Sequence, residues 1–80
     1  MESLKHKNKV VGIKQTLGVL ASGKAMEVYI AKDSDKSLIE PVEKECERLK
    51  IKPFYIETRK ELGKYCGLQV PAAVAATVAD

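Results

Sequence analysis

The strongest constraint on the fold is the run AAVAATVA, Ala72 to Ala79. Its side chains are small and almost all apolar, set around Val74 and Val78, with no alternation to mark a water-facing side. Such a segment suits the centre of a sheet, because small side chains let helices approach closely from both faces. The rest of the chain must then supply neighbouring strands and covering helices.

It does so in alternation. Val10 and Val11 form a brief apolar run that enters a turn at Gly12. From Lys14 onward, Leu17, Leu20 and Ala21 fall at i, i+3 and i+4 and predict a short amphipathic helix, with Gly23 as its stop. Gly18 lies inside that helix at a cost of roughly 1 kcal/mol relative to alanine, which reads as either close packing or a tolerated weakness. Val28 to Ala31 is a continuous apolar run, read as a strand covered on both faces and ended by Lys32 to Asp35. The next helix extends to about Leu49, with Leu38 or Ile39, Val42, Cys46 and Leu49 on one face. Its start stays open, since Ser37 with Glu40 reads as a capping box while Pro41 prefers the first helical position. Pro53 to Ile56 reads as a further strand. Thr58 with Glu61 is a second capping box, followed by Leu62, Tyr65 and Cys66 on an apolar face and by Gly67 as a stop. Strands alternating with helices imply a layered α/β sandwich.

With 80 residues the chain is expected to form one small domain over residues 1–80, of which 1–9 is a basic N-terminal arm. A core of this size favours an exposed binding face over a deep catalytic cleft. The net charge of +3 is unevenly spread: residues 1–24 carry +4, residues 25–58 carry −2 and residues 59–80 carry +1. Such a field steers a polyanion toward one side. Lys5, Lys7 and Lys9 form either a solvated terminus or a set of phosphate contacts.

No apolar run reaches the roughly 18 residues of a membrane span, and the N-terminus is too polar for a secretory signal, so a cytoplasmic location is expected. Cys46 and Cys66 lie in separate helical segments without CxxC spacing or a nearby histidine, and read as small buried hydrophobes. His6 has no acidic or cysteine neighbour. Nothing here assembles a nucleophile or an acid–base set, so no enzyme, metal or cofactor is expected.

Two segments carry the functional signal. GIKQT, Gly12 to Thr16, is a glycine turn feeding a helix start, where backbone N–H groups can bind phosphate while Lys14 and Gln15 reach base edges. RKELGKYCGLQVPAA, Arg59 to Ala73, joins a basic helix to an apolar loop and a small-residue strand. Their order along the chain points to a structured-RNA binder.

Together with AKDSD, Ala31 to Asp35, these segments resemble the ribosomal L-seven-Ae and L-thirty-e family of kink-turn RNA binders, in particular its short bacterial members. The resemblance runs from about Val10 to Val78 and is most specific at the Gly12 turn and in KELG…CGLQVPAA. It implies a three-layer α/β/α sandwich around a four-stranded mixed sheet, with RNA bound across loops at one end. A kink-turn sets tandem sheared G·A pairs beside a sharply bent backbone, exposing guanine acceptors to Lys14 and Gln15. Gly12 and Thr16 would bring backbone and hydroxyl near phosphate. Asp35 and Ile39 would flank an extruded nucleotide, Arg59 would contact backbone, and Leu68 and Val70 would pack against the unstacked base. Many family members have Asn and Glu at the Lys14 and Gln15 positions, where the Lys–Gln pair fits the bacterial branch; Gly18 stands where even that branch often has a phosphate-contacting basic residue, so the resemblance implies a weaker RNA affinity here. The implied partner is kink-turn RNA, of the ribosome or a riboswitch, bound by a monomer. The alternative is a protein-interaction or dimer-forming module with little affinity for RNA.

Overall fold

A computed structural model describes residues 8–78 of the chain. Of the basic arm, Lys5, His6 and Lys7 lie outside the described residues. Seven elements follow in order: β1 (Lys9–Val11), α1 (Ile13–Ala21), β2 (Ala25–Ala31), α2 (Lys36–Arg48), β3 (Phe54–Ile56), α3 (Arg59–Tyr65) and β4 (Val74–Val78). They form the expected α/β/α sandwich. The sheet has the order β1-β4-β2-β3, in which β4 pairs antiparallel with both β1 and β2, and β2 pairs parallel with β3.

β4 is thus an interior strand, and its composition explains the layers on either side. Val74 and Ala76 face one way, joining Val28 and Ile30 of β2 with Leu20 of α1 and Ile39, Val42 and Cys46 of α2. Ala75 faces the other way, joining Tyr29 and Ala31 with Leu62 and Cys66 of α3 and with Ala72. Alternate residues of one strand serve two cores, which is why β2 and β4 lack polar alternation. Both cysteines are buried as small hydrophobes, and burial raises both thiol pKa values.

The helix ends follow local chemistry. Thr58 caps α3 as expected, its hydroxyl accepting the Glu61 N–H at 3.0 Å. α2 begins earlier than either reading of its start: Asp35 is the cap, accepting from the Ser37 N–H at 3.2 Å and the Ser37 hydroxyl at 3.0 Å. Pro41 therefore lies inside the helix. The N–H it lacks would have paired with the Ser37 carbonyl, and Ser37 lies on the exposed side of the helix, where losing that bond costs less than it would in the core. All three helices close with paired hydrogen bonds from the two residues beyond the cap; for α2 these run from Lys50 N–H to Glu47 O (3.1 Å) and from Ile51 N–H to Cys46 O (2.8 Å). Lys50 adopts a φ of 60° there.

β2 starts at Ala25, ahead of the apolar run that announced it, because pairing with β4 continues past Val28 to Glu27 and Ala25. A register shift between Ala25 and Glu27 leaves Met26 turned to solvent. Gly18 is exposed, and a Cβ there would meet nothing within 4 Å. It is the tolerated weakness of the two alternatives. Gly18→Ala is expected to stabilise the domain by about 0.5–1 kcal/mol, raising the melting temperature by several degrees. Calorimetry showing no rise would mean that the position is constrained by something other than helix propensity.

Candidate nucleic-acid interface

The register of the sheet brings distant loops to one end. Val11 lies opposite Ala75, Ile30 opposite Val74 and Ala31 beside Ile56, so β1, β2 and β3 all finish where β4 begins. At that end stand the Gly12 turn, the 32–35 loop, the 57–58 link and the 67–73 loop. They are tied together by backbone bonds: Gly12 N–H to Val74 O (3.0 Å), Ala31 N–H to Ala73 O (2.8 Å), Lys32 N–H to Ile56 O (2.7 Å) and Ala72 N–H to Arg59 O (3.0 Å). Ligand sites in sheets of this kind commonly sit at the carboxyl ends of strands.

At the first loop, Gly12 holds φ 110° and ψ 158°, outside the range open to residues with a Cβ, and passes directly into α1. Being glycine, it offers no side chain to cap the helix, and no acidic residue occupies the first turn. The N–H groups of that turn have no acceptor within the helix, and the positive end of the helix dipole points outward with them. Lys14 and Gln15 are both exposed on this turn. Gln15 folds back over Gly12, where a Cβ would lie 2.7 Å from its Oε1. Among the described residues Lys14 forms no ion pair.

Two expected contact residues are corrected. Thr16 is 0% exposed and its N–H is bonded to Gly12 O at 3.0 Å, so neither its hydroxyl nor its amide faces outward. It lies one turn before Leu20 on the same stripe of α1, and that stripe packs inward. Ile39 is 6% exposed and belongs to the core between α2 and the sheet with Val42 and Cys46, not to a surface that flanks a nucleotide. Leu38, its neighbour, carries the exposure instead, at 52%.

The other site residues stand at this end. Asp35 is exposed, with one carboxylate oxygen engaged as the α2 cap. Arg59 opens α3, its side chain held near Asp33 by a 3.4 Å ion pair while its backbone N–H donates to Asp33 Oδ1 at 2.8 Å. Asp33 thereby clamps the 32–35 loop to the start of α3, a role invisible in a sequence where it reads only as a strand terminator. Glu57 pairs with Lys32 at 2.9 Å. The carboxylates of Asp33, Asp35 and Glu57 are therefore each committed to a partner, whereas Lys14 forms no ion pair among the described residues.

Leu68 is half-buried against the α3 core and Val70 is 62% exposed. Their loop is pressed against α3 at Gly63. A Cβ on Gly63 would collide with the Val70 carbonyl oxygen and lie 3.1 Å from Val70 C and 3.3 Å from Pro71 Cα. Leu68 N–H also donates to Gly63 O at 2.9 Å. Gly63 is thus a site residue by proxy, and its neighbours Lys60 and Lys64 line a groove beside the loop. The i, i+4 spacing of those two lysines next to an apolar loop was the available signal for them.

Fold and site together define a small three-layer α/β/α domain that presents a loop-built face at the end of its sheet. The sequence pattern of the Ribosomal protein L7Ae/L30e/S12e/Gadd45 family matches residues 1–80, and the chain belongs to that family. It is similar to RNA-binding protein TTE2299 of Caldanaerobacter subterraneus subsp. tengcongensis, 47% identical over 70 residues, which cover 88% of this chain and 85% of that protein. It is also similar to RNA-binding protein GWCH70_0105 of Geobacillus sp. (strain WCH70), 41% identical with 86% and 84% covered. Among solved structures, the 15.5kD RNA binding protein of Giardia lamblia superimposes with a TM-score of 0.84 at 27% identity, covering 91% of this chain; the chain spans 62% of that protein. Among the described residues, no helix is long and apolar enough to cross a membrane.

Proposed function

We propose that this chain binds structured RNA as a monomer in the cytoplasm and recognises the kink-turn, holding it in its bent form as part of the ribosome or of a regulatory RNA. The observation that carries this reading is the meeting, at one end of the sheet, of an uncapped α1 start bearing Lys14 and Gln15 with the apolar Leu68–Val70 loop. A cation and an amide beside open backbone N–H groups suit guanine edges and phosphate, and an exposed apolar loop suits an unstacked base. Gly12, Lys14, Gln15, Asp35, Arg59, Leu68 and Val70 form the proposed contact set; Thr16 and Ile39 support it from the core.

The alternative of a protein-interaction module draws little from the exposed aromatics of β3. Phe54 stacks on Tyr29 at 5.2 Å, and the Tyr55 hydroxyl donates to Glu43 Oε2 at 2.6 Å, so the exposed aromatics of β3 are tied to their own domain.

The deciding experiment is a gel-shift comparison of a kink-turn with the same duplex lacking its sheared G·A pairs. The kink-turn is expected to bind at least about tenfold more tightly, the scale of one or two lost base-edge contacts. Equal affinity for both would leave only attraction to a polyanion.

A further inference from the structure

At the end of the sheet away from the loop face, the closing turns of α1 and α2 meet at the start of β2. Leu20, Gly23, Ala25, Leu49 and Ile51 line a pocket of about 210 Å³ there. We propose that this pocket docks an acidic segment of a partner protein, with one apolar side chain entering it and carboxylates on either side of that side chain meeting Lys24, Lys50 and Lys52. The inference goes beyond the RNA-binding reading and does not depend on it, since the two surfaces share no residue.

Three observations carry it. The first is the charge around the pocket. Lys24 lies between Gly23 and Ala25, and Lys50 and Lys52 flank Ile51, so all three lysines belong to the segments that form the mouth. They are exposed and form no ion pair among the described residues. The helix ends do not need them, because backbone amides already take the closing carbonyls: Gly23 N–H to Leu20 O (3.2 Å) and Lys24 N–H to Val19 O (2.9 Å) in α1, Lys50 N–H to Glu47 O (3.1 Å) and Ile51 N–H to Cys46 O (2.8 Å) in α2. Of the carboxylates in the last turn of α2, Glu45 is held by Arg48 at 2.7 Å, which leaves the lysines in excess over Glu47. Such a rim complements an acidic partner.

The second is the lining. An apolar cavity of about 150 Å³ holds a benzene ring, so this pocket accommodates a leucine or phenylalanine side chain. Every side chain on its wall is aliphatic. A nucleobase seated there would leave its donors and acceptors unpaired. Three lysines alone would attract any polyanion; the aliphatic pocket between them selects a peptide. The third is the backbone at Lys50. Where α1 and α3 close with Gly23 at φ 73° and Gly67 at φ 81°, α2 places Lys50 at φ 60°. A side chain costs energy in that region, so α2 carries a cation at the mouth in spite of a strained backbone.

The test is amide chemical-shift mapping of the full chain at low ionic strength with three probes: a capped peptide with one leucine between two pairs of glutamates, the same peptide with serine in place of the leucine, and hexauridylate. The leucine peptide is expected to move the amides of Gly23, Lys24, Lys50 and Ile51 and to bind about tenfold more tightly than the serine peptide. Lys24→Ala/Lys50→Gly should weaken the leucine peptide about fivefold. Its melting temperature should not fall, because both side chains are exposed and glycine suits the backbone at position 50. Unmoved pocket amides, equal affinity for the two peptides, or undiminished peptide binding by the variant would each overturn the proposal. So would hexauridylate shifting the same amides as strongly as the leucine peptide, which would assign the lysines to nucleic acid.

Discussion

Gly63→Ala is expected to lower the melting temperature by about 10–20 °C, the equivalent of about 2–4 kcal/mol in a domain of this size. The added methyl would meet backbone, the Val70 carbonyl and Pro71 Cα, and not the end of a flexible side chain. Either the 68–71 loop lifts off α3 or the helix moves away from the sheet, and both movements disturb the core formed by Leu62, Cys66 and Ala72. RNA affinity should fall as well when measured well below the transition, because the displaced loop carries Leu68 and Val70. Gly18→Ala is the matched control, the same change in a helix with open space around it. An unchanged melting temperature together with unmoved amide signals from Leu68 to Ala72 would refute the close packing on which the loop's placement depends.

Lys14→Ala is expected to weaken kink-turn binding by about 1–3 kcal/mol, roughly five- to 150-fold, with no loss of thermal stability. The side chain is exposed and forms no ion pair among the described residues, so the free protein loses no partner when it is removed. Lys24→Ala makes the comparison specific. Lys24 is also exposed but follows α1, at the opposite end of the sheet from the Gly12 turn, and its removal should change affinity little beyond the general effect of one charge. Equal losses from the two variants would mean that the start of α1 does not read the RNA.

What could be read from the residues divides according to the range of the interactions. The Thr58 cap acts within one turn, and the interior position of β4 follows from its own side chains; both were legible. So was the placement of Leu17 and Leu20 toward the core. The same helical stripe extends back from Leu20 to Thr16, so the burial of Thr16 was available in principle and was masked by the polarity of its hydroxyl. Ile39 is a similar case, sharing its stripe with Val42 and Cys46. The start of α2 was obscured because Ser37, Asp35 and Pro41 compete as local signals, and Asp35 prevails by accepting from both the amide and the hydroxyl of Ser37. The contact of Gly63 with Val70 and the clamp of Asp33 on Arg59 are tertiary, set by how α3 lies on the sheet, and no local pattern announces them.

The strand order has a consequence for how the protein is made. β4 is the last of the four strands to be synthesised, yet it stands between β1 and β2, which share no hydrogen bonds of their own. A nascent chain that has reached only β3 can close the parallel β2–β3 pair but leaves β1 without its neighbour. The Gly12 amide finds its acceptor on Val74, and that of Ala31 on Ala73, only once β4 and the residues before it have been made and have joined the sheet. The loop face therefore comes into being late and in one step, when β4 enters the sheet.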